Sequence, residues 1–488
     1  MDSRPPPLPL LRDFPDWQSP MVVKELRHGL RTRFFTLALI QFHILLTLVM
    51  GSALLGADQE MINAVFWWLA LAVVLVAMPA RGFAALTSEV SEGTLDMLTL
   101  TNMTAFRMVY GKWAALFSQT LLVASSLLPY MVARYHFGGV EVLNEAVALV
   151  IMVLASAVIT AALVAFSTQK SVLLRLLLMA GVLLPVVPLV FLIVSLMFGA
   201  NPLADVFTSL PLSEQLGFAG GIIFVAVYGT YLFLTLGASR FASPAENHST
   251  TKRLVSLGVM TVLGGLGVGM ATLHLDQYAA VWVLIPTVIL VLIHGMDVMT
   301  EAMPRVPTVL LKFAHGGRLR RLAGRVLYPG WASGVLHYCL LCLAPVAIVA
   351  AITYRLGEPI MLKVILCILM ANVVPVAVPI LRDKLFMRWW IVQLVLFASG
   401  FVLVLLVQIT DTREIAGLGV ITPGTALLAS TVGWEEEMVM GGAVAGCLWL
   451  LGAVCLAITE MRIYNELEMD ARYCEDLKPQ PAPHDSAG

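Results

Sequence analysis

Charge is what this sequence has least of. Only 12% of its 488 residues are Asp, Glu, Lys or Arg, while 59% are hydrophobic and the mean hydropathy is +0.89. A soluble globular domain carries about 25% charged residues, so a water-soluble fold is excluded and an all-α polytopic membrane protein is expected. The net charge of −1 carries little information, because the charges are sorted by location, and nothing suggests a nucleic-acid surface. A phosphate-binding loop is also missing. Gly111-Lys112 has no glycine five positions earlier and is followed by Trp113. The run Gly264-Gly265-Leu266-Gly267-Val268-Gly269 lies inside an apolar segment and reads as close helix packing. No His-Glu-x-x-His or Gly-x-Ser-x-Gly string occurs. The chain is therefore expected to perform no covalent chemistry and to hold no cofactor or metal, with any ATP hydrolysis supplied by another polypeptide. Cysteine is sparse at six residues, five of them inside apolar runs. Cys339-x-x-Cys342 has redox or metal spacing, but no second pair accompanies it, so buried small apolar side chains are the reading. Pro5-Pro6-Pro7-Leu8-Pro9 is no signal-peptide core, and the first apolar run is expected to be an uncleaved anchor.

What is present is a series of long apolar runs. A spanning helix needs about 20 apolar residues, and twelve runs qualify: 34–56, 62–86, 113–134, 143–166, 172–198, 216–238, 254–272, 278–300, 334–356, 361–381, 389–410 and 438–459. The connecting segments alternate in charge. Lys24 to Arg33, Arg107 with Lys112, Lys170, Lys252 with Arg253, Arg305 to Arg325 and Arg382 to Arg388 fall on one side. Asp58 and Glu60, Glu141 and Glu145, Asp205 and Glu214, Asp276, Glu358 and Asp411 to Glu437 fall on the other. The positive-inside rule then places both termini in the cytoplasm and the chain in the cytoplasmic membrane.

Between the second and third runs lies a polar stretch, 87–112. At helical spacing Glu89, Glu92 and Asp96 share one face, and Leu86, Val90 and Met97 another. An acidic face is repelled by anionic headgroups and is better placed against a protein; a solvated loop is the plainer reading. Upstream, Val23, Leu26 and Leu30 form a stripe beside the basic Lys24, Arg27 and Arg31, as in a helix lying on the membrane.

The pattern Glu89-x-x-Glu92-Gly93-Thr94-Leu95-x-x-Leu98-x-x-Thr101, ending in Gly111-Lys112, resembles the ABC type-2 exporter permease family. So does Pro20-x-x-x-Lys24-Glu25-Leu26-Arg27-x-Gly29-Leu30-Arg31-x-Arg33-Phe34. The resemblance covers about residues 18–253. Asn102-Met103-Thr104 departs from the family's usual Pro-Leu-Ser. The resemblance implies a six-helix membrane domain over 34–238 with a coupling helix at 87–107 that docks on a separate ATPase subunit. It also implies a second permease copy or a related chain as partner. Glu89, Glu92, Gly93, Thr94 and Leu95 are the docking residues it points to, with Lys24, Glu25 and Arg31 framing the surface. Around that core the chain divides into an N-terminal segment, 1–33, a cytoplasmic linker, 239–253, a second six-helix domain, 254–459, and a tail, 460–488. The basic loop 301–333 interrupts the second domain. Arg318, Arg320, Arg321 and Arg325 there can bind lipid headgroups or the partner, or act only as topogenic charge.

Polar residues inside the runs are the remaining candidates. His43, Arg81, Arg175, His294, Asp297, His337 and Lys363 qualify by position. Arg81, Arg175, Asp297 and Lys363 lie near predicted ends, where snorkelling to the interface is expected. Rival readings are an ion-driven secondary transporter, which needs membrane-embedded acids, a lipid-modifying transferase, which needs a polar cluster at the interface, and a non-transporting scaffold or sensor.

Overall fold

The computed structural model describes residues 20–87, 104–137, 142–183, 212–242, 247–273, 277–304, 310, 318–357, 359–378, 384–410, 419–430 and 436–476. Every regular element among them is helical. Ten helices among the described residues are long and apolar enough to cross a membrane, the character of a multi-pass membrane protein. The chain divides into two compact units, Met1–Phe241 and Ala242–Gly488.

In the first unit, α1 (Pro20–Leu30) leads through Thr32 into α2 (Arg33–Leu54). Next come α3 (Gln59–Ala84), α4 (Ala105–Phe137), α5 (Val142–Phe166), the short apolar α6 (Val172–Leu183) and α7 (Leu212–Phe241). Helices α2 to α5 enclose one apolar core, with Phe42 and Leu46, Phe66, Leu71 and Val74, Val123 and Leu127, and Met152 and Ile159 from successive helices. Helix α3 is irregular. Residues Ala72–Ala77 form a π-helical turn just before Pro79. In a π turn each carbonyl is served by the N–H five residues on, and Pro79 has none to offer Val74 O. In an apolar medium a loosened carbonyl needs another donor. The buried Ser156 hydroxyl of α5 supplies one to Val74 O at 2.7 Å. Helix α7 packs on α5 at small residues, where a Cβ added to Gly237 would come within 3.0 Å of the Ala165 backbone.

Helix α4 begins eight residues before the predicted span. At about 1.5 Å per residue its 33 residues reach roughly 50 Å, while a hydrocarbon core of about 30 Å needs only about 20 of them. The surplus at its start is braced by α1, which runs alongside in the same direction. A Cβ on Gly111 would meet Met21 Cγ at 2.8 Å, and Gly29 abuts Gln119 eight residues further along each helix.

The second unit holds α8 (His248–Thr272), α9 (Gln277–Met299), α10 (Arg318–Leu327), α11 (Trp331–Leu356), α12 (Ile360–Ala371) and α13 (Val374–Ala377). It ends with α14 (Leu385–Thr410), α15 (Pro423–Ser430) and α16 (Glu436–Asp476). Helices α8, α9 and α11 pack around Leu284, Val288, Ile348 and Ile352. Within the glycine run, Gly264 and Gly267 face Ala344 and Ile348 of α11, while Gly265 and Gly269 have open space. The stretch 361–381 is not one continuous helix: α12 stops at Ala371, and a turn at Asn372 separates it from α13, which contains Pro375. The freed polar groups are used, since Trp389 Nε1 donates to Asn372 O at 3.2 Å and Asn372 Nδ2 to Leu292 O at 3.1 Å. Helix α16 runs on past residue 459 to Asp476, because 460–476 contains no glycine or proline and is rich in good helix formers.

Candidate functional site

The docking residues expected from the sequence divide into two groups. Glu89, Glu92, Gly93, Thr94 and Leu95 lie outside the described residues. Lys24, Glu25 and Arg31 are on or just after α1, with Lys24 and Arg31 exposed and Glu25 half-buried against Lys112 of α4, 3.4 Å away. The chain is held firmly where it leaves α3. Leu86 N–H donates to Ser167 Oγ at 3.1 Å, and Thr87 Oγ1 donates to Ser167 O at 3.2 Å. Arg175 of α6 donates to Thr87 Oγ1 at 2.6 Å and to Phe83 O at 3.2 Å, and its guanidinium lies 4.8 Å from the Phe83 ring centre. Arg175 does not snorkel; it is 6% exposed, held in place by Thr87, the Phe83 carbonyl and the Phe83 ring. Beside it Arg81 donates to Gln119 Oε1 and covers the Phe35 ring at 5.3 Å. Where the chain resumes, Thr104 precedes α4 and accepts from Arg107 N–H through its hydroxyl at 3.4 Å and from Met108 N–H through its carbonyl at 3.3 Å. Of the described residues that flank 88–103, Thr87 is thus tied to Ser167 and Arg175, and Thr104 caps the first turn of α4, the helix that α1 braces.

At the other end of α4 stands a charged pair that the sequence reading missed. Arg134 and Glu145 are 2% and 1% exposed, with Nη1 to Oε1 at 2.6 Å. Asn63 Oδ1 accepts from Arg134 Nη2 at 2.6 Å, and the Phe66 ring centre lies 4.2 Å from the guanidinium. Glu145, expected as a loop acid, is enclosed in the first turn of α5. Between the two ends, the half-buried His43 has its Nδ1 3.1 Å from Tyr130 Oη, a hydrogen-bond partner within the protein.

The second unit holds a larger polar cluster. Lys252 and Arg253, expected in the cytoplasmic linker 239–253, are buried in the first turns of α8, which starts at His248 behind an Asn247 cap. Lys252 Nζ lies 2.5 Å from Asp297 Oδ2 and 2.6 Å from Glu301 Oε1. Arg253 Nη2 lies 2.7 Å from Glu301 Oε2, which also accepts from Ser249 Oγ at 2.7 Å. Asp297 is fully enclosed and does not snorkel. Burial alone raises a carboxyl pKa, yet Lys252 and Arg253 outweigh it and hold Glu301 well below the usual carboxylate range. Arg253 also ties the end of α10 to the start of α11: Nη1 lies 2.8, 2.8 and 2.9 Å from Val326 O, Tyr328 O and Ser333 Oγ, and Nη2 donates to Gly330 O at 3.0 Å. His337 Nε2 lies 3.0 Å from Ser256 Oγ. A periodic signal for this cluster was present. Ser249, Lys252, Arg253 and Ser256 follow i, i+3, i+4, i+7, continuing the buried stripe of Met260, Leu263, Gly264 and Gly267, and His294, Asp297 and Glu301 repeat the spacing. No group of three metal-ligating side chains occurs among the described residues. Compared with family models, characterised proteins and solved structures, the chain matches none.

Proposed function

We propose that this chain is the membrane-spanning permease subunit of an ATP-driven ABC exporter, working with a separate ATPase subunit. The observation that carries the proposal is the anchorage of the described residues on either side of the acidic stretch. Ser167 and Arg175 hold Thr87, Thr104 caps the first turn of α4, and α1 braces the turns of α4 that exceed a membrane's thickness. A load applied to such a stretch passes into α3 and α4 as rigid bodies, which is what a coupling element requires. In this reading the stretch 87–107 docks on the ATPase through Glu89, Glu92, Gly93, Thr94 and Leu95, beside Lys24, Glu25 and Arg31. Two permease copies, or this chain and a related one, assemble with two ATPase subunits in the cytoplasmic membrane, surrounded by lipid. Twelve spans, counting 172–198 and 361–381, return both termini to the cytoplasm. ATP is hydrolysed only in the partner subunit.

The test is a double charge reversal, Glu89→Lys with Glu92→Lys, which inverts the proposed docking face while adding positive charge to a segment already inside. The variant is expected to insert at the parent's level and to lose ATPase capture on affinity purification. Capture equal to the parent's would remove the docking assignment. One observation favours the alternative of an ion-driven transporter: Asp297 and Glu145 are acids enclosed within helices of membrane-spanning character. Each is already matched by a cation, Lys252 or Arg134, so neither offers a vacant carboxylate for a transported ion.

A further inference from the structure

Next to the buried charges of the second unit lies a cavity of about 100 Å³, well above the roughly 10–15 Å³ that one water needs. Its walls include Met303, Tyr328, Gly330, Trp331, Glu460 and Tyr464. Three of these are aromatic, and Glu460 is the only charged side chain among the described residues that line it. Tyr328 and Tyr464 meet edge to face with ring centres 5.4 Å apart. One wall is rigid, because Arg253 and Ser333 bind the carbonyls of Tyr328 and Gly330, and Tyr328 Oη donates to Pro304 O at 2.5 Å. Gly330 is at φ +140°, where only glycine is unstrained, and an added Cβ would press on Met303 at 3.2 Å. The cluster that builds this wall is itself neutral, two cations against two carboxylates, and so contributes little net field. The cavity also sits at a defined level. Trp331 opens the apolar helix α11, and Glu460 stands where the apolar run of α16 ends. Tryptophan and tyrosine at such a boundary mark the headgroup layer of a membrane.

A half-buried carboxylate and aromatic walls, with no cation among the described lining residues, are the chemistry that recognises an organic ammonium ion. The carboxylate offsets its charge, and ring faces within about 6 Å attract it without demanding hydrogen-bond geometry. We propose that this cavity binds an alkylammonium group, either the amine end of a zwitterionic lipid headgroup or a free amine. The assignment is independent of the exporter reading, since every residue it uses lies in the second unit.

The experiment uses the full-length protein in nanodiscs made only of phosphatidylglycerol, which brings no amine. Choline is titrated and followed by saturation-transfer NMR. In parallel, protein in mixed phosphatidylethanolamine and phosphatidylglycerol nanodiscs is released and its retained lipids are counted by native mass spectrometry. Saturable choline binding supports a free-amine site, and preferential retention of phosphatidylethanolamine supports a headgroup site. In whichever arm responds, Glu460→Gln is expected to weaken binding about tenfold, the loss of one charge-assisted contact. Trp331→Leu, which leaves the carboxylate in place, is expected to weaken the same arm and serves as an independent variant if Glu460→Gln does not fold. No response in either arm, or a response unchanged in both variants, overturns the proposal.

Discussion

Arg134 and Glu145 are enclosed almost completely, and each is tolerable there only because the other is present. Removing one member of a buried pair leaves an uncompensated charge and costs about 3–5 kcal/mol, whereas replacing both by apolar groups of similar volume is often nearly neutral. Arg134→Gln and Glu145→Gln are therefore each expected to lower the thermal midpoint of the detergent-solubilised protein clearly. The double change Arg134→Met with Glu145→Leu should recover most of that loss, as measured by circular dichroism at 222 nm. A double variant that loses the sum of the two single losses would contradict a coupled pair. Neither partner was legible in the sequence. Glu145 follows a loop and looks solvated, and Arg134 stands at the end of an apolar run among residues that tolerate an interface. Their pairing depends on the turn that brings α4 and α5 side by side. Arg175 and Asp297 were misplaced for the same reason: distance from a predicted helix end says where a charge can snorkel, and only the neighbouring helices say whether it needs to.

Helices α1 and α4 make a joint out of two glycines. Gly111 has Met21 of α1 where a side chain would stand, and Gly29 has Gln119 of α4. Gly111→Leu is expected to push α1 off α4 without affecting insertion. Trypsin should then cleave faster after Arg27 or Arg31, both exposed in the parent. Gly51→Leu on α2, where nothing lies within 4 Å of an added Cβ, is the control and should leave cleavage at the parent rate. Equal rates in the two variants would remove α1 from its bracing role. At this scale the sequence was informative about stripes and poor about ends. The apolar stripe of α1 follows from residue type and spacing, whereas 361–381 reads as one apolar run and the helix stops at Ala371, ahead of Pro375. The starts of α4 at Ala105 and α8 at His248 do not follow from an unbroken apolar run, because Arg107 and Lys112 interrupt the first turns of α4 and those of α8, His248 to Arg253, are polar. In α8 that error concealed the cluster, since Lys252 and Arg253 then fell in a linker.

Across the whole chain, scarcity of charge was enough to identify a helical, multi-pass membrane protein, because lipid leaves the backbone few other solutions. The proposed division of labour goes further: this chain moves, and another polypeptide hydrolyses ATP. The most direct measurement is ATP turnover by the full-length chain reconstituted in liposomes, alone and after purification from native membranes together with an ATPase subunit identified by mass spectrometry. The account predicts no nucleotide binding or turnover by the chain alone. It predicts turnover by the assembled pair that falls to the level of the free ATPase when Glu89 and Glu92 are both changed to Lys. Turnover by the chain in a preparation shown to contain no other polypeptide, or an assembled pair indifferent to that change, would contradict it.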